Sequence, residues 1–568
     1  MANEKSKAEQ YRDERKARIA KSAKKNAPKL EKANTAKKII GKVISIVLAV
    51  VIGLGVLGLV LNYYGVPQRL LPIGGVGSDQ KVTVAEYQYY YMRTYNNLVS
   101  QVQQYSQYGY DYGYDTTLAP DKQTQTTQNA DGEEITWAEM LHDETIQLAQ
   151  TYKAYYNEAL KKGIKFTKAD EATVNKTLDE YKETAESSGN SDGQSENARK
   201  YSLNAYLRKV FGNGVNKSFL KKEIKIQIMA QKYYQVRSDE LAAGYDQAEI
   251  DKTYAEATDT YDLVTARVYA FSNETLSADE GESDKDLEAR QKKSDAKTKA
   301  DAEAFFKAAT DEKKFVAKAQ ELNKDNADYD VNSTKINAIK STVEQNFSSD
   351  VATWLFDALR KPGERKLITD TENGRYFVVL VVKGMHQENT VNVRHILFQT
   401  VDTSSGEDLS EEEIAASKKK AEDALKSFND GDKTEDSFAA LAADLSEDTG
   451  SAQNGGLYEN VLPGQMVTEF NDWCFDADRK EGDTAIVETT YGYHVMYFVS
   501  KNGSYYDSAI RDSKAQTDIE TESKELLDGE TYEVGFGPRR LNYAENAVLK
   551  KISKLLELSN ANSAAQYQ

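Results

Sequence analysis

Residues 489–498 read TTYGYHVMYF, an alternating aromatic run that carries His494. Alternation with period two predicts a half-buried strand. The chain has four histidines, His142, His386, His395 and His494, and a lone histidine on a strand is most often a hydrogen-bonded core residue. A partner elsewhere in the chain changes that reading, and internal similarity supplies one. The stretch VNVRHILF (391–398), with His395, resembles TARVYAF (265–271). WCFDADRKEGD (473–483) repeats WLFDALRKPGE (354–364) at a constant offset of 119, and GYHVMYFVSKNG (492–503) matches GRYFVVLVVKG (374–384) after a one-residue gap. Two copies of one β/α module are the economical explanation. This alignment sets Val268 opposite His395 and Tyr376 opposite His494. Were the histidines a requirement of the fold, the first copy would keep at least one; the pair reads as a functional unit retained in the second module alone.

Outward from the repeat, the chain's 568 residues suggest three or four domains. Its net charge of −18 hides an asymmetry: residues 1–42 hold 14 Lys/Arg against 5 Asp/Glu, a surplus of +9 that leaves the remainder at −27. An acidic body repels phosphate, which argues against nucleic acid as a partner of the main domains. After the basic head comes VISIVLAVVIGLGVLGLVL (43–61), nineteen residues without a charge. As a helix it is roughly 29 Å long, matching a hydrocarbon core of about 30 Å. Lys37, Lys38 and Lys42 precede it and Tyr63 and Tyr64 follow it, so the positive-inside rule predicts a cytoplasmic N-terminus and an extracytoplasmic body. A cleaved signal peptide is the competing reading, but the run is long for one and no A-x-A site follows. Cys474 is the single cysteine; it excludes an intrachain disulfide and is expected to be a small buried hydrophobe.

Two helix starts share one signature, Thr83-Val-Ala-Glu86 and Thr136-Trp-Ala-Glu139. In each, threonine is expected to cap the third helical N–H while glutamate reaches back. Gly163 after Lys161 and Lys162 predicts the end of the second helix. In FLKKEIKIQIMAQKYY (219–234), Leu220, Ile224 and Ile228 form one helical stripe. The stretch QYSQYGYDYGYDTTLAP (104–120) follows neither period and reads as a mobile loop, as does the polar gap 186–197.

The second module resembles a parvulin-type peptidyl-prolyl isomerase domain: an RHIL opening, then DLSEDTGSAQNGGLY (444–458), LPGQMVTEFNDWCF (462–475) and the T-x-x-G-Y-H strand, in family order. The whole chain is similar to membrane-attached extracytoplasmic foldases of the PrsA and SurA kind. The resemblance implies an α+β multidomain fold: a basic tail (1–42), a single transmembrane anchor (43–63), a helical chaperone domain (64–262), a degenerate parvulin-like module (263–386), the isomerase module (387–503), and a C-terminal helical segment (504–568) returning to the chaperone domain. It implies that His395 and His494 face each other across adjacent strands, with Asp448 and Thr489 as their polar neighbours, and that Leu457, Met466, Phe470 and Phe475 hold the substrate proline. Tyr458 falls where a small glycine is common. Cofactor and metal are not required. The implied partners are unfolded or nascent secreted proteins with X-Pro bonds, and the acidic stretch QTVDTSSGEDLSEEE (399–413) would repel a phosphorylated one. A holdase or surface-assembly scaffold that keeps the fold without turnover is the alternative.

Overall fold

The computed structural model describes residues 12, 14–18, 21, 57 and 59–566, apart from 78–79, 130, 189–200, 280–281, 327–328 and 403–404. Most of the expected basic tail, of the expected anchor and of the polar gap 186–197 lies outside the described residues. Among the described residues no helix is long and apolar enough to cross a membrane.

The first body is helical. Strands β1 (Pro72–Val76) and β2 (Gln80–Thr83) lead into α1 (Val84–Gln107), followed by α2 (Trp137–Lys162), α3 (Lys168–Ser188), α4 (Leu203–Phe211) and α5 (Lys217–Gly244). Both capping boxes form: the Thr83 and Thr136 hydroxyls accept the N–H of Glu86 and Glu139, whose carboxylates accept in return. Gly163 closes α2 at φ 75°, a left-handed conformation that glycine adopts without strain. Leu220 and Ile224 are buried, and Ile228 packs against the same core. The tyrosine-rich stretch departs from expectation. Helix α1 runs through its first residues, and beyond them Tyr114 is buried, edge-on to Trp137 at 5.1 Å, while the Gln123 side chain bonds both the N–H and the carbonyl of Asp115. Aromatic packing, invisible to periodicity, fixes this loop.

Two four-stranded antiparallel sheets follow. The first comprises β3 (Leu263–Ser272), β4 (Lys335–Ile339), β5 (Arg365–Asp370) and β6 (Arg375–His386) in the order β4-β3-β6-β5, with helices α6 (Asp284–Ala308), α7 (Glu312–Leu322) and α8 (Ser349–Leu355). The second comprises β7 (Asn389–Gln399), β8 (Leu457–Val461), β9 (Thr484–Thr489) and β10 (Gly492–Ser504) in the order β8-β7-β10-β9, with α9 (Glu411–Asp430), α10 (Glu435–Leu445) and α11 (Thr468–Cys474). The two share one topology and several struts. Arg267 pairs with Glu312 and Arg394 with Glu435, each from the first strand to the start of the second helix. Arg360 lies over Trp354 and Arg479 over Trp473.

Strand register corrects one equivalence. Val268 pairs with Val379 and His395 with Met496. Counting along β6 and β10 from these pairs sets Phe377, not Tyr376, at the position of His494. The hairpin loop between the last two strands spans 371–374 in the first module and 490–491 in the second, so the gap is two residues, not one. A one-residue slip moves a side chain to the other face of a strand. Phe377 is buried beside Val268 on the face that carries the histidines in the second module, and Phe347 packs edge-on against it at 6.0 Å. The first module fills with hydrocarbon the place where the second holds imidazoles.

After β10 the chain returns to the first body. Helix α12 (Tyr505–Asp528) packs along α5, β11 (Val534–Phe536) pairs with β1, and α13 (Pro538–Gln566) buries Ala544, Val548 and Ile552 in the first body's core.

Candidate active site

Alternation along β7 and β10 separates two faces. Ile396, Phe398, Tyr493, Val495 and Tyr497 point toward α9 and α10, where they meet Phe428 and Phe438. Val391, Val393, Met496 and Phe498 point the other way, onto Phe470 and Cys474 of α11. His395 and His494 belong to this second set, and both are almost fully buried, at 3% and 5% exposure.

Their rings are neighbours on the two central strands, with Nδ1 atoms 3.1 Å apart. His395 Nε2 lies 2.9 Å from Asp448 Oδ2 and 3.1 Å from Ser451 Oγ. Asp448 Oδ2 also accepts the Ser451 hydroxyl at 2.5 Å and the Tyr458 hydroxyl at 2.9 Å, while Oδ1 accepts the Gly450 N–H. At the far end, His494 Nε2 lies 2.9 Å from Thr489 Oγ1, which accepts the Tyr491 N–H. With both rings neutral these contacts fix one proton order. Thr489 donates to His494, His494 Nδ1–H donates to His395 Nδ1, and His395 Nε2–H donates to Asp448.

The His395 N–H first, then Ser451, Gly450 and Tyr458, hold the Asp448 carboxyl well below the usual range against the effect of burial. Burial, reinforced by His395, pulls His494 down to about 3, so it stays neutral. Burial and the Asp448 carboxylate push the Tyr458 hydroxyl up to about 12, keeping it a donor. Burial also pushes the Cys474 thiol up to about 12, which leaves it inert.

An apolar wall covers the rings. Phe470 stands edge-on to both histidines, at 5.6 Å from His395 and 5.4 Å from His494, and Met466 and Phe475 pack against the same cluster. Leu457 does not join them. Its register partner is Arg394, on the face covered by α10, whereas Tyr458 pairs with Val393 and stacks on His395 at 4.9 Å. Tyr458 therefore takes the place expected of Leu457. Tyr458 and Ser451 were missed as partners of Asp448, although both lie inside the block 444–458; the short helical turn Ala452–Asn454 that gathers them has no periodic signature.

The lowered His494 value has a signed consequence. Its folded value lies below the ordinary 6.5, so unfolded chains take up a proton that the folded module refuses. Stability is full above about pH 6.5 and falls as pH drops toward 3; Asp448 adds a further loss below its ordinary 3.8. Melting curves of the parent should report a loss of about 2–3 kcal/mol between pH 7 and 4.5. His494→Phe should flatten that slope. Equal slopes for both proteins would contradict a buried neutral His494.

Residues 377–502 match the family described as the PPIC-type PPIASE domain. Foldase protein PrsA 3 of Bacillus cereus is 35% identical over 107 residues, 19% of this chain and 36% of that protein. Chaperone SurA of Pseudomonas syringae pv. tomato is 32% identical over 125 residues, 22% of this chain and 26% of that protein. The chain thus spans about a third of the length of the first relative and about a quarter of the second. A crystal structure of peptidylprolyl isomerase (PrsA) from Bacillus cereus aligns over 49% of this chain and 92% of its own at 19% identity, with a TM-score of 0.18. The second module carries a parvulin-type peptidyl-prolyl isomerase domain.

Proposed function

We propose that the chain, with a parvulin-type domain as its second module, is an extracytoplasmic foldase that isomerises X-Pro bonds in unfolded or nascent secreted proteins. The observation that carries this reading is the buried His395–His494 pair, closed by Asp448 and Thr489 at its ends and by Phe470 above it. Rotation about X-Pro has a barrier of about 18–20 kcal/mol and takes tens to hundreds of seconds uncatalysed. An enzyme lowers it by binding the twisted amide better than either planar form. Phe470, Met466 and Tyr458 grip the pyrrolidine ring, while the fixed dipoles of the histidine network meet an amide whose charge distribution changes as conjugation is lost. Asp448 is spoken for: four donors occupy its oxygens, which argues against a covalent role. Proline-limited refolding of an unphosphorylated protein should be accelerated by the chain. Unchanged refolding kinetics would leave the holdase alternative standing.

The run 43–61, with a basic head before it, supports a single-pass anchor with the N-terminus cytoplasmic. The helical body is the chaperone platform in this reading. Protease added to protoplasts should digest residues beyond about 65 and spare the tail; recovery of the intact protein in the medium alone would sink the anchor.

A further inference from the structure

The first module, which has no counterpart of the His395–His494 pair, touches a loop of the second module's proline pocket. The loop 462–467 joins β8 to α11 and delivers Met466. Inside the module it is tied by Leu462 N–H to Gln465 Oε1 and by Gly464 N–H to Asn471 Oδ1. From outside, Asn337 on β4 donates its side-chain N–H to the Pro463 carbonyl at 2.8 Å. The Asn337 amide is itself oriented, because its oxygen accepts the hydroxyl of Thr265, its register partner on β3, at 2.9 Å. The approach is close: a Cβ on Gly464 would stand 3.4 Å from that of Asn337.

The opposite loop of the site is held in the same way by the helical body. Helix α3 lies along α10, and Lys176 of α3 donates to the Ser446 carbonyl at 2.7 Å, where a cation suits the negative end of α10. The Ser446 hydroxyl accepts the N–H groups of Leu397 and Asp448, so this contact bears on the residue that meets His395.

We infer that the first module is a positioning element for the proline pocket of the second, acting through Asn337 on the loop that carries Met466, with Lys176 as a corresponding hold on the Asp448 loop. This rests on the isomerase reading and gives the degenerate copy a role of its own, since it presents a fixed strand edge to a loop that must keep its shape while substrate enters. Asn337 is a positioning residue and touches no substrate.

The test uses the full chain. Asn337→Asp removes the donor with little change of shape, and it should raise KM for an X-Pro peptide about threefold to tenfold with kcat within a factor of two. Thr265→Val should move KM in the same direction, and Thr265→Ser, which keeps the hydroxyl, should not. Amide exchange at 462–467 should quicken in Asn337→Asp while that of β10 is unchanged. An unaltered KM with unaltered exchange overturns the proposal, as does a fall in kcat at constant KM. An inactive parent chain would instead overturn the isomerase reading, and exchange at 462–467 would still decide whether Asn337 positions the loop.

Discussion

Replacing His395 by Val and His494 by Phe is expected to cut the acceleration of prolyl isomerisation by at least about a hundredfold while the second module stays folded. The substitutions import what the first module already uses, Val268 and Phe377, on the same sheet positions with the same strand order. Hydrocarbon at both places leaves few buried polar groups orphaned. Asp448 keeps Ser451, Tyr458 and Gly450 as donors, and Thr489 keeps the Tyr491 N–H. Removing both partners of a hydrogen bond costs far less than removing one, so the stability change should stay within about 2 kcal/mol. The single substitution His395→Val should be worse for the fold, since it strands His494 Nδ1. Refolding assays read beside melting curves separate the two effects. Full activity in a folded double variant would remove the histidines from the mechanism and favour the holdase alternative.

The largest stability effect is expected elsewhere, at Lys153→Met. Lys153 and Glu86 are 2% and 3% exposed and meet at 3.1 Å; Glu223, fully buried, receives the Tyr90 hydroxyl at 2.8 Å. Lys222, mostly exposed, reaches Glu86 at 3.4 Å and Glu223 at 3.8 Å. Burial, then the Glu86 charge, push Glu223 up to about 7, while Lys153, the Thr83 N–H and Lys222 outweigh burial and keep Glu86 low. Lys153 is thus the buried counter-charge for α1, α2 and α5. Its loss should destabilise the helical body by about 3–5 kcal/mol, and Glu86→Gln added to Lys153→Met should restore part of it. A melting temperature unchanged in Lys153→Met would show that the pair is solvated. The pH response carries the opposite sign from that of the second module. Because Glu223 is raised above its ordinary 4.5, its contribution is whole below that value and is lost as pH rises through 7.

Local signals were the ones sequence could carry. Capping boxes at Thr83 and Thr136 rest on residues three apart, and the paired modules on repeated runs such as 473–483, so both were legible. The histidine face was legible for the same reason, as alternation within one strand. Register between strands was not: the hairpin loop of the first module is two residues longer, and that length alone decides between Tyr376 and Phe377. Leu457 and Tyr458 differ in the same way, adjacent in the chain and opposite on the sheet. Long-range polar partners were beyond reach. Glu86 announced itself as a capping residue, but nothing near it points to Lys153, and nothing near Asn337 points to Pro463.

Strand β11 adds a consequence for the order in which the chain becomes structured. It completes the sheet of β1 and β2, and the α13 residues Ala544, Val548 and Ile552 fill the core beneath α1. Both β/α modules lie between these halves, and each owns all four of its strands. A chain emerging N-terminus first would therefore close its two inner modules while its earliest helices still expose an unfilled core and an unpaired edge at β1. Until that helix arrives, the helical body exposes an unfilled core of its own, with a finished parvulin-type module tethered beside it.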